Sequence, residues 1–454
     1  MTNSNSFNSD PNSRLRHFLQ QTYQVPEHLI LELEKAEVAL QAEFASIESR
    51  VYYNLARLLH IFQKNGITDF HLNGSTGYGY GDVGRDALEA IFAEYFGGEA
   101  ALVRSQILSG THALALGLYG NLRPGQELIS AAGKPYDTLL KVIGLGGEAD
   151  SLLDLGVTYQ EIPLRSERPN LADGQEATGS VIDLPRLLEA INEKTKMVLL
   201  QRSKGYQWRP SLTIAELKEV IAAIKAKGPD VICLVDNCYC EMVETEEPGH
   251  IGADLVIGSL IKNPGGTLAP AGGYLAGKKA YVEAAARRLS APGLGKDLGA
   301  SLGFNRLAFQ GFFQAPHTVG QSLKGALLAA ALFQGLGYEV LPAALETSGS
   351  AGGAVQRADI VQAIKLGDSQ KLVRFCQAIQ QACPLDSTFL PEPDLLPGYD
   401  HPVVMAGGGF IQGSSSELSA DGPLRPPYIA YLQGGFSLAQ IRLGLLLAAK
   451  ALVM

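Results

Sequence analysis

Between residues 69 and 276, short apolar runs alternate with stretches whose apolar residues recur at helical spacing, and this limits the possible folds more than any other feature. The runs fall at 101–107, 127–130, 158–162, 197–201, 231–236, 255–259 and 273–276. Strands separated by helix-length segments return to their sheet by crossovers, which align neighbours in parallel and put helices on both faces. The expected class is α/β, with a mostly parallel sheet flanked by helices. Ahead of it, residues 1–13 are polar and read as a disordered arm, while 26–66 carry Leu33, Ala36, Leu40 and Phe44 at helical spacing. After Gly293 a Gly/Ala-rich helical stretch at 301–337 precedes candidate strands at 359–366, 403–412 and 429–432. That pattern predicts a smaller α+β domain, so the chain divides into 1–66, 67–292 and 293–454, with 348–354 a Gly/Ser-rich loop.

Composition narrows the function classes. With 454 residues, 46% hydrophobic and 18% charged, the chain is long enough for a large core and two or three domains, which excludes a small binding module. A net charge of −9 gives no basic face to displace counterions, so nucleic acid is not an expected partner. No window approaches the ~20 uninterrupted apolar residues of a membrane span, and the polar start lacks a secretion-signal pattern. Cys233, Cys238, Cys240, Cys376 and Cys383 are an odd set that suits free thiols in a reducing compartment. A cytoplasmic protein without a membrane partner is expected.

Three places combine chemistry with strand ends. Lys262, in GSLIKNPGG, follows the run 255–259 and precedes Asn-Pro-Gly-Gly, which stops a helix. That is the C-terminal mouth of a parallel strand, where open α/β sheets place ligands. Desolvation there lowers a lysine pKa toward the amine a Schiff base needs; the alternative is a surface lysine in a turn. Asp236 ends the run 231–236, and a buried carboxylate at that edge calls for a cation such as a protonated pyridine nitrogen. Its alternative is a turn cap through Asn237. Ser109, Gly110 and Thr111, in SGTHA, open a helix after the first strand and leave backbone N–H groups for a phosphate, unless Ser109 is an ordinary N-cap. His112 suits a helix face better than a metal site.

The ordered set SGTHA, KPYDT, VDN and SLIK resembles the pyridoxal 5′-phosphate (PLP) enzymes of fold type I, within them the cystathionine/methionine lyase group. The segments GSTGYGYGDVGRDALEAIF, QRSKGYQWRPSLTI, GSLIKNPGGTLAPAGGY and DGPLRPPYIAYLQGG are similar to its "aluminium resistance", methionine-γ-lyase-like branch. The resemblance runs from about residue 30 to the end. It implies PLP as cofactor, Lys262 as the Schiff-base lysine, Asp236 as partner of the pyridine nitrogen, and Gly110, Thr111 and Ser259 around the phosphate. Tyr136 matches the aromatic that stacks on the cofactor ring. Tyr80 and Arg85 match a stretch that reaches a neighbouring subunit's phosphate, although Arg85 also suits the start of a helix at 85–95. Arg442 and Arg425 compete for the substrate's α-carboxylate. Ile261 departs from the usual hydroxyl residue before the lysine, which removes one phosphate contact. A homodimer or homotetramer with shared sites is implied.

The implied reaction is β- or γ-elimination from a sulfur-containing amino acid such as cystathionine, cysteine or methionine. Aminotransfer or racemisation of a small amino acid starts from the same carbanion and stays open. A non-catalytic metal-tolerance protein is the reading from another class; the stretch 241–247 (EMVETEE) is its one support, and such a run is expected to be a solvated face. Gly79, Gly81 and Gly84 match a dinucleotide fingerprint but follow no strong strand. Cys238 and Cys240 lack the further ligands of a zinc site and read as packed thiols, so no metal is expected.

Overall fold

A computed structural model of the chain describes residues 11–165, 181–345 and 356–453. It opens with three helices, α1 (Pro11–Thr22), α2 (Glu27–Ala39) and α3 (Gln41–Lys64). The expected arm at 1–13 is thereby shortened: residues 11–13 begin α1, with a proline suited to a helix start, and 1–10 lie outside the described residues. Leu29, Leu33, Ile47, Leu58 and Ile61 turn the extension's apolar stripe into the core.

The large sheet holds β1 (Ala100–Arg104), β2 (Glu127–Ser130), β3 (Thr158–Glu161), β4 (Thr195–Gln201), β5 (Ile232–Asp236), β6 (Leu255–Ser259) and β7 (Gly273–Gly277). Its order is β1-β7-β6-β5-β4-β2-β3. The pairs β3–β2–β4–β5–β6 are parallel, and β7 runs antiparallel to both β6 and β1. The reversal has a local cause, since the connection 260–272 holds a 3₁₀ turn at Asn263–Gly265 and no crossover helix. Strands β5, β6 and β7 are buried along their whole length, as a sheet covered on both faces requires. Alternate residues feed two cores: Met197, Leu199, Ile232, Leu234 and Ile257 on one face, Val198, Leu200, Cys233, Val235 and Val256 on the other.

The helices of this region are α4 (Val83–Phe96), α5 (Gly110–Asn121), α6 (Asp137–Ile143), α7 (Leu184–Ala190), α8 (Ile214–Lys227) and α9 (Lys279–Leu289). A 32-residue helix, α10 (Phe304–Gly335), leads to a second sheet. That sheet comprises β8 (Glu339–Leu341), β9 (Gln362–Lys365), β10 (Val403–Ala406), β11 (Ser419–Pro423) and β12 (Ile429–Gln433), antiparallel throughout in the order β10-β11-β12-β9-β8. Helices α11 (Ser369–Gln381) and α12 (Leu438–Val453) pack on each other beside it. Strands β8 and β11 were not expected, and the run expected at 403–412 stops at Ala406. A Cβ on Gly408 would stand 2.0 Å from the Leu385 carbonyl oxygen, so the chain leaves the sheet through glycine. The loop expected at 348–354 lies outside the described residues.

Candidate active site

The C-terminal ends of β4, β5 and β6 bring their last polar side chains to one edge, with Gln201 paired to Asp236 and Asp236 to Ile257 in the register. The N-terminus of α5 meets that edge. Ser109 caps α5, its Oγ accepting from the His112 amide at 3.1 Å, so Ser109 serves its own helix. The Gly110 and Thr111 amides, at the first two helical positions, have no acceptor within the helix. A Cβ on Gly110 would lie 3.3 Å from Cys238 Sγ and 3.4 Å from Ser259 Cβ, so glycine keeps a small cradle open there. Ser259 Oγ faces it, buried and without a hydrogen-bond partner.

Tyr136 is held at both ends. Its amide donates to Gln201 Oε1 at 3.0 Å and its hydroxyl donates to Thr111 Oγ1 at 3.1 Å, while Thr111 Oγ1 is 2.9 Å from Thr138 Oγ1. Burial drives the phenol pKa far above its ordinary value. Asp236 is 4% exposed and accepts from the Cys238 amide at 3.1 Å. Burial raises its pKa, against the pull of Lys262. Lys262 Nζ stands 3.9 Å from the Tyr239 ring centroid. Tyr239 takes φ +71°, a left-handed conformation that a tyrosine adopts only where its surroundings impose it.

The lysine's pKa departs from expectation. Burial pulls it down, but Cys238, Tyr239, Asp236 and Tyr136 outweigh burial and hold it above the ordinary lysine value. Desolvation alone predicts a free amine; the acidic groups on neighbouring loops reverse the sign.

Other candidates lie elsewhere. Tyr80 is 65% exposed, its ring 5.7 Å from that of Tyr78. Arg85 starts α4 and is buried, donating to the carbonyls of Gly79 (2.8 Å) and Gly299 (3.0 Å) and to Asp86. It borders a 450 Å³ cavity with Tyr80, Lys296 and Asp297. Arg442 Nε pairs with Glu37 Oε1 at 3.1 Å, tying α12 to α2. Arg425 lies half-buried between β11 and β12, where its charge acts on the Tyr431 hydroxyl. The sequence did not single out Gln201, Tyr206, Tyr239, Gln433 or Asp421 as individual site residues, although Gln201 and Tyr206 lie in QRSKGYQWRPSLTI and Asp421 and Gln433 in DGPLRPPYIAYLQGG, and that position was the available signal.

The acidic stretch is not a solvated face. Glu241 and Glu247 are buried, and Glu244 accepts from Arg202 at 2.6 Å. Glu247 accepts from the Met242 amide and from Asn237, and Glu241 from the Tyr274 hydroxyl at 3.1 Å. Burial pushes the Glu241 carboxyl up to about 8. The glycines of the false dinucleotide fingerprint serve packing: a Cβ on Gly79 would meet Ala300 N at 2.6 Å, and one on Gly84 the His71 carbonyl oxygen at 2.1 Å. All five cysteines are buried free thiols.

The residues fit PLP. The unpartnered Ser259 hydroxyl and the Gly110 cradle would suit a phosphate, the buried Asp236 would suit a protonated ring nitrogen, and Lys262 stands at the same edge to supply an amine. Sheet order and site together define a PLP-dependent enzyme of fold type I. Residues 30–453 match the methionine gamma-lyase family, and the chain belongs to it. It is a PLP-dependent enzyme of the carbon–sulfur lyase type.

It is 40% identical to the structure of a carbon–sulfur lyase involved in aluminium resistance from Clostridium novyi, covering 98% of this chain and 100% of that one with a TM-score of 0.88. It is 46% identical to the uncharacterized protein YnbB of Bacillus subtilis over 93% of this chain and 96% of that protein. The PLP-dependent protein YhfS of Escherichia coli, at 18% identity and a TM-score of 0.57 over 90% of this chain and 97% of that one, shares the fold alone. Among the described residues no helix is long and apolar enough to cross a membrane.

Proposed function

We propose that the chain eliminates a sulfur substituent from the β- or γ-carbon of an amino acid, releasing a thiol, a keto acid and ammonia, with Lys262, Asp236 and Tyr136 as its working side chains. The observation that carries this reading is the convergence of Lys262, Asp236 and Tyr136 beside the unpartnered Ser259 hydroxyl. PLP, when bound, supplies an electron sink that makes the substrate's Cα–H acidic. Lys262 moves the proton at Cα, because its Nζ is the basic group at this edge once deprotonated. Asp236 holds a proton at the ring nitrogen, its carboxylate already oriented by the Cys238 amide. Tyr136, fixed through Gln201 and Thr111, lies against the ring and excludes water from one side. Gly110, Thr111 and Ser259 bind the phosphate.

Arg425 takes the substrate carboxylate in preference to Arg442, since Arg442 is paired with Glu37 and Arg425 stands beside Tyr431. Tyr80 belongs to a surface that a second copy covers, with the buried Arg85 bordering the cavity beneath it: Tyr78, Tyr80, Leu108 and Leu302 are all more than half exposed, an apolar display that suits a homodimer or homotetramer. The working location is the cytoplasm, where buried thiols stay reduced.

The test is a product screen on PLP-reconstituted enzyme with cystathionine, cysteine and methionine. Keto acid, ammonia and thiol in equal amounts support elimination; a keto acid without thiol would transfer the reading to aminotransfer. Sedimentation of the holoenzyme checks the assembly, and a fully active monomer would oppose it.

A further inference from the structure

The loop between Asp394 and β10 reaches from the second sheet to the cofactor side. Its base is closed by reciprocal backbone bonds, the Asp394 amide donating to the Val403 carbonyl at 3.1 Å and the Val403 amide to the Asp394 carbonyl at 2.9 Å. At its tip the Leu396 carbonyl accepts from the Tyr399 amide at 3.1 Å, which folds 396–399 into a turn. Asp400 anchors the tip to α6, accepting from Lys141 Nζ at 2.9 Å. The Tyr399 ring lies 6.0 Å from that of Tyr206, and the charges of Lys262 and Asp421 act on its hydroxyl, so the tip stands at the edge of the site.

Thr138 of α6 meets this tip. A Cβ on Gly398, where φ is +89°, would lie 2.8 Å from Thr138 Cγ2 and 3.4 Å from Thr138 Cβ, so glycine lets the tip pack on the threonine methyl. The other branch of Thr138 faces the cofactor side. Its Oγ1 is 2.9 Å from Thr111 Oγ1, which also accepts from the Tyr136 hydroxyl at 3.1 Å. Methyl and hydroxyl share one Cβ, so a rotation that moves one moves the other, and the tip fixes where the hydroxyl points. Proton accounting adds a direction to that contact. Thr111 has a single hydroxyl proton. A phosphate in the Gly110 cradle takes it, and the Tyr136 proton is already directed at Thr111, so the 2.9 Å contact persists only with Thr138 as the donor.

We propose that Thr138 is a positioning residue that couples loop 395–402 to the cofactor: the loop tip pins its methyl, and its hydroxyl holds Thr111 and Tyr136 against bound PLP. Reciprocity follows, since a loop that tightens PLP is itself tightened by PLP to the same degree. The phosphate contact rests on the placement of PLP proposed above; the reaction catalysed has no part in it.

The experiment measures PLP binding by equilibrium dialysis and, in the same proteins, hydrogen exchange of the peptide covering 395–402 by mass spectrometry. Thr138→Val keeps the shape and removes the donor, and is expected to weaken PLP about tenfold; Thr138→Ser keeps the donor and is expected to stay within about threefold of the parent. Gly398→Ala should weaken PLP about threefold or more by striking the Thr138 methyl, and that loss should vanish when combined with Thr138→Ser, where no methyl is struck. In the unsubstituted protein PLP should slow exchange of 395–402, and Thr138→Val should remove this protection. Equal PLP affinity of Thr138→Val and the parent would overturn the proposal, as would the same loss from Gly398→Ala with and without Thr138→Ser. Exchange that PLP leaves unchanged in the unsubstituted protein would overturn it too, and that comparison depends on no variant folding. Coupling that holds in a protein releasing no thiol from any sulfur amino acid would sink the lyase reading and leave this one standing.

Discussion

Glu241→Gln is expected to stabilise the protein by an amount that grows with pH. The Glu241 side chain is fully buried, its Oε1 accepts from the Tyr274 hydroxyl, and its Oε2 has no partner. Burial raises the carboxyl from 4.5 to about 8. Between those values the native protein holds this proton and the unfolded chain releases it, so stability falls as pH rises through the window. Linkage over that shift gives about 1 kcal/mol of lost stability at pH 5 and about 3 kcal/mol at pH 7. Glutamine keeps the acceptor for Tyr274 and has no proton to lose, so the stability difference, variant minus parent, should widen by about 2 kcal/mol from pH 5 to pH 7. Urea denaturation of both proteins at the two pH values, followed by fluorescence and circular dichroism, measures it. A difference that stays flat or narrows would refute the reasoning, because it would mean that Glu241 is ionised in the native protein and finds a cation there.

Lys262→Ala is expected to abolish the borohydride-trappable adduct with PLP; mass spectrometry that finds the adduct at unchanged stoichiometry would remove Lys262 from its role. Asp236→Asn should fold and bind PLP yet lose roughly 100-fold or more in kcat, since an amide cannot hold the ring-nitrogen proton; unchanged kinetics would place Asp236 outside the site. Ser259→Ala should weaken PLP binding about tenfold in equilibrium dialysis by deleting one hydrogen bond to a charged group, with little change in thermal stability, because the hydroxyl has no partner within the chain. Arg425→Ala should raise KM at least about tenfold and Arg442→Ala should leave KM unchanged, so the reverse pattern would return the carboxylate to Arg442.

The large sheet was legible because its central strands β5 and β6 are buried along their length and lie in apolar runs; β2 and β6 coincide with their expected limits. Strand β11 was not, since Ser419, Asp421, Gly422 and Pro423 have no strand pattern; β10 and β12 impose the strand by pairing with it from both sides. The cofactor side of the site was visible at strand ends, where Asp236 and Ser259 close apolar runs. The contribution of the second sheet was hidden. Asp421 opens the segment DGPLRPPYIAYLQGG, 159 positions after Lys262, and the packing of the second sheet against the loop after β4 brings it to Tyr206. The sign of the lysine's pKa shift was lost for the same reason, as it depends on neighbours that chain position does not reveal.

That loop, 202–211, ties the two sheets together. Gln201, at the end of β4, accepts from the Tyr136 amide, and Tyr206 in the loop donates to Asp421 of β11. Between them Lys204 Nζ binds both oxygens of Asp359 at 2.8 and 2.9 Å and the Val361 carbonyl at 3.1 Å, with Ser203 and Ser211 donating to the same carboxylate. Arg209 donates to the carbonyls of Gln201, Arg202 and Ser203, which fixes the loop's backbone. Asp359 stands just before β9, so the pair fastens the large sheet's loop to the second sheet. A buried ion pair adds little net stability over an apolar contact of the same shape, but breaking one half strands a charge at a cost of about 3–5 kcal/mol. Its structural consequence is therefore positional: any sliding of one sheet against the other would have to break this pair, so the distance from Lys262 to Asp421 is held by the fold.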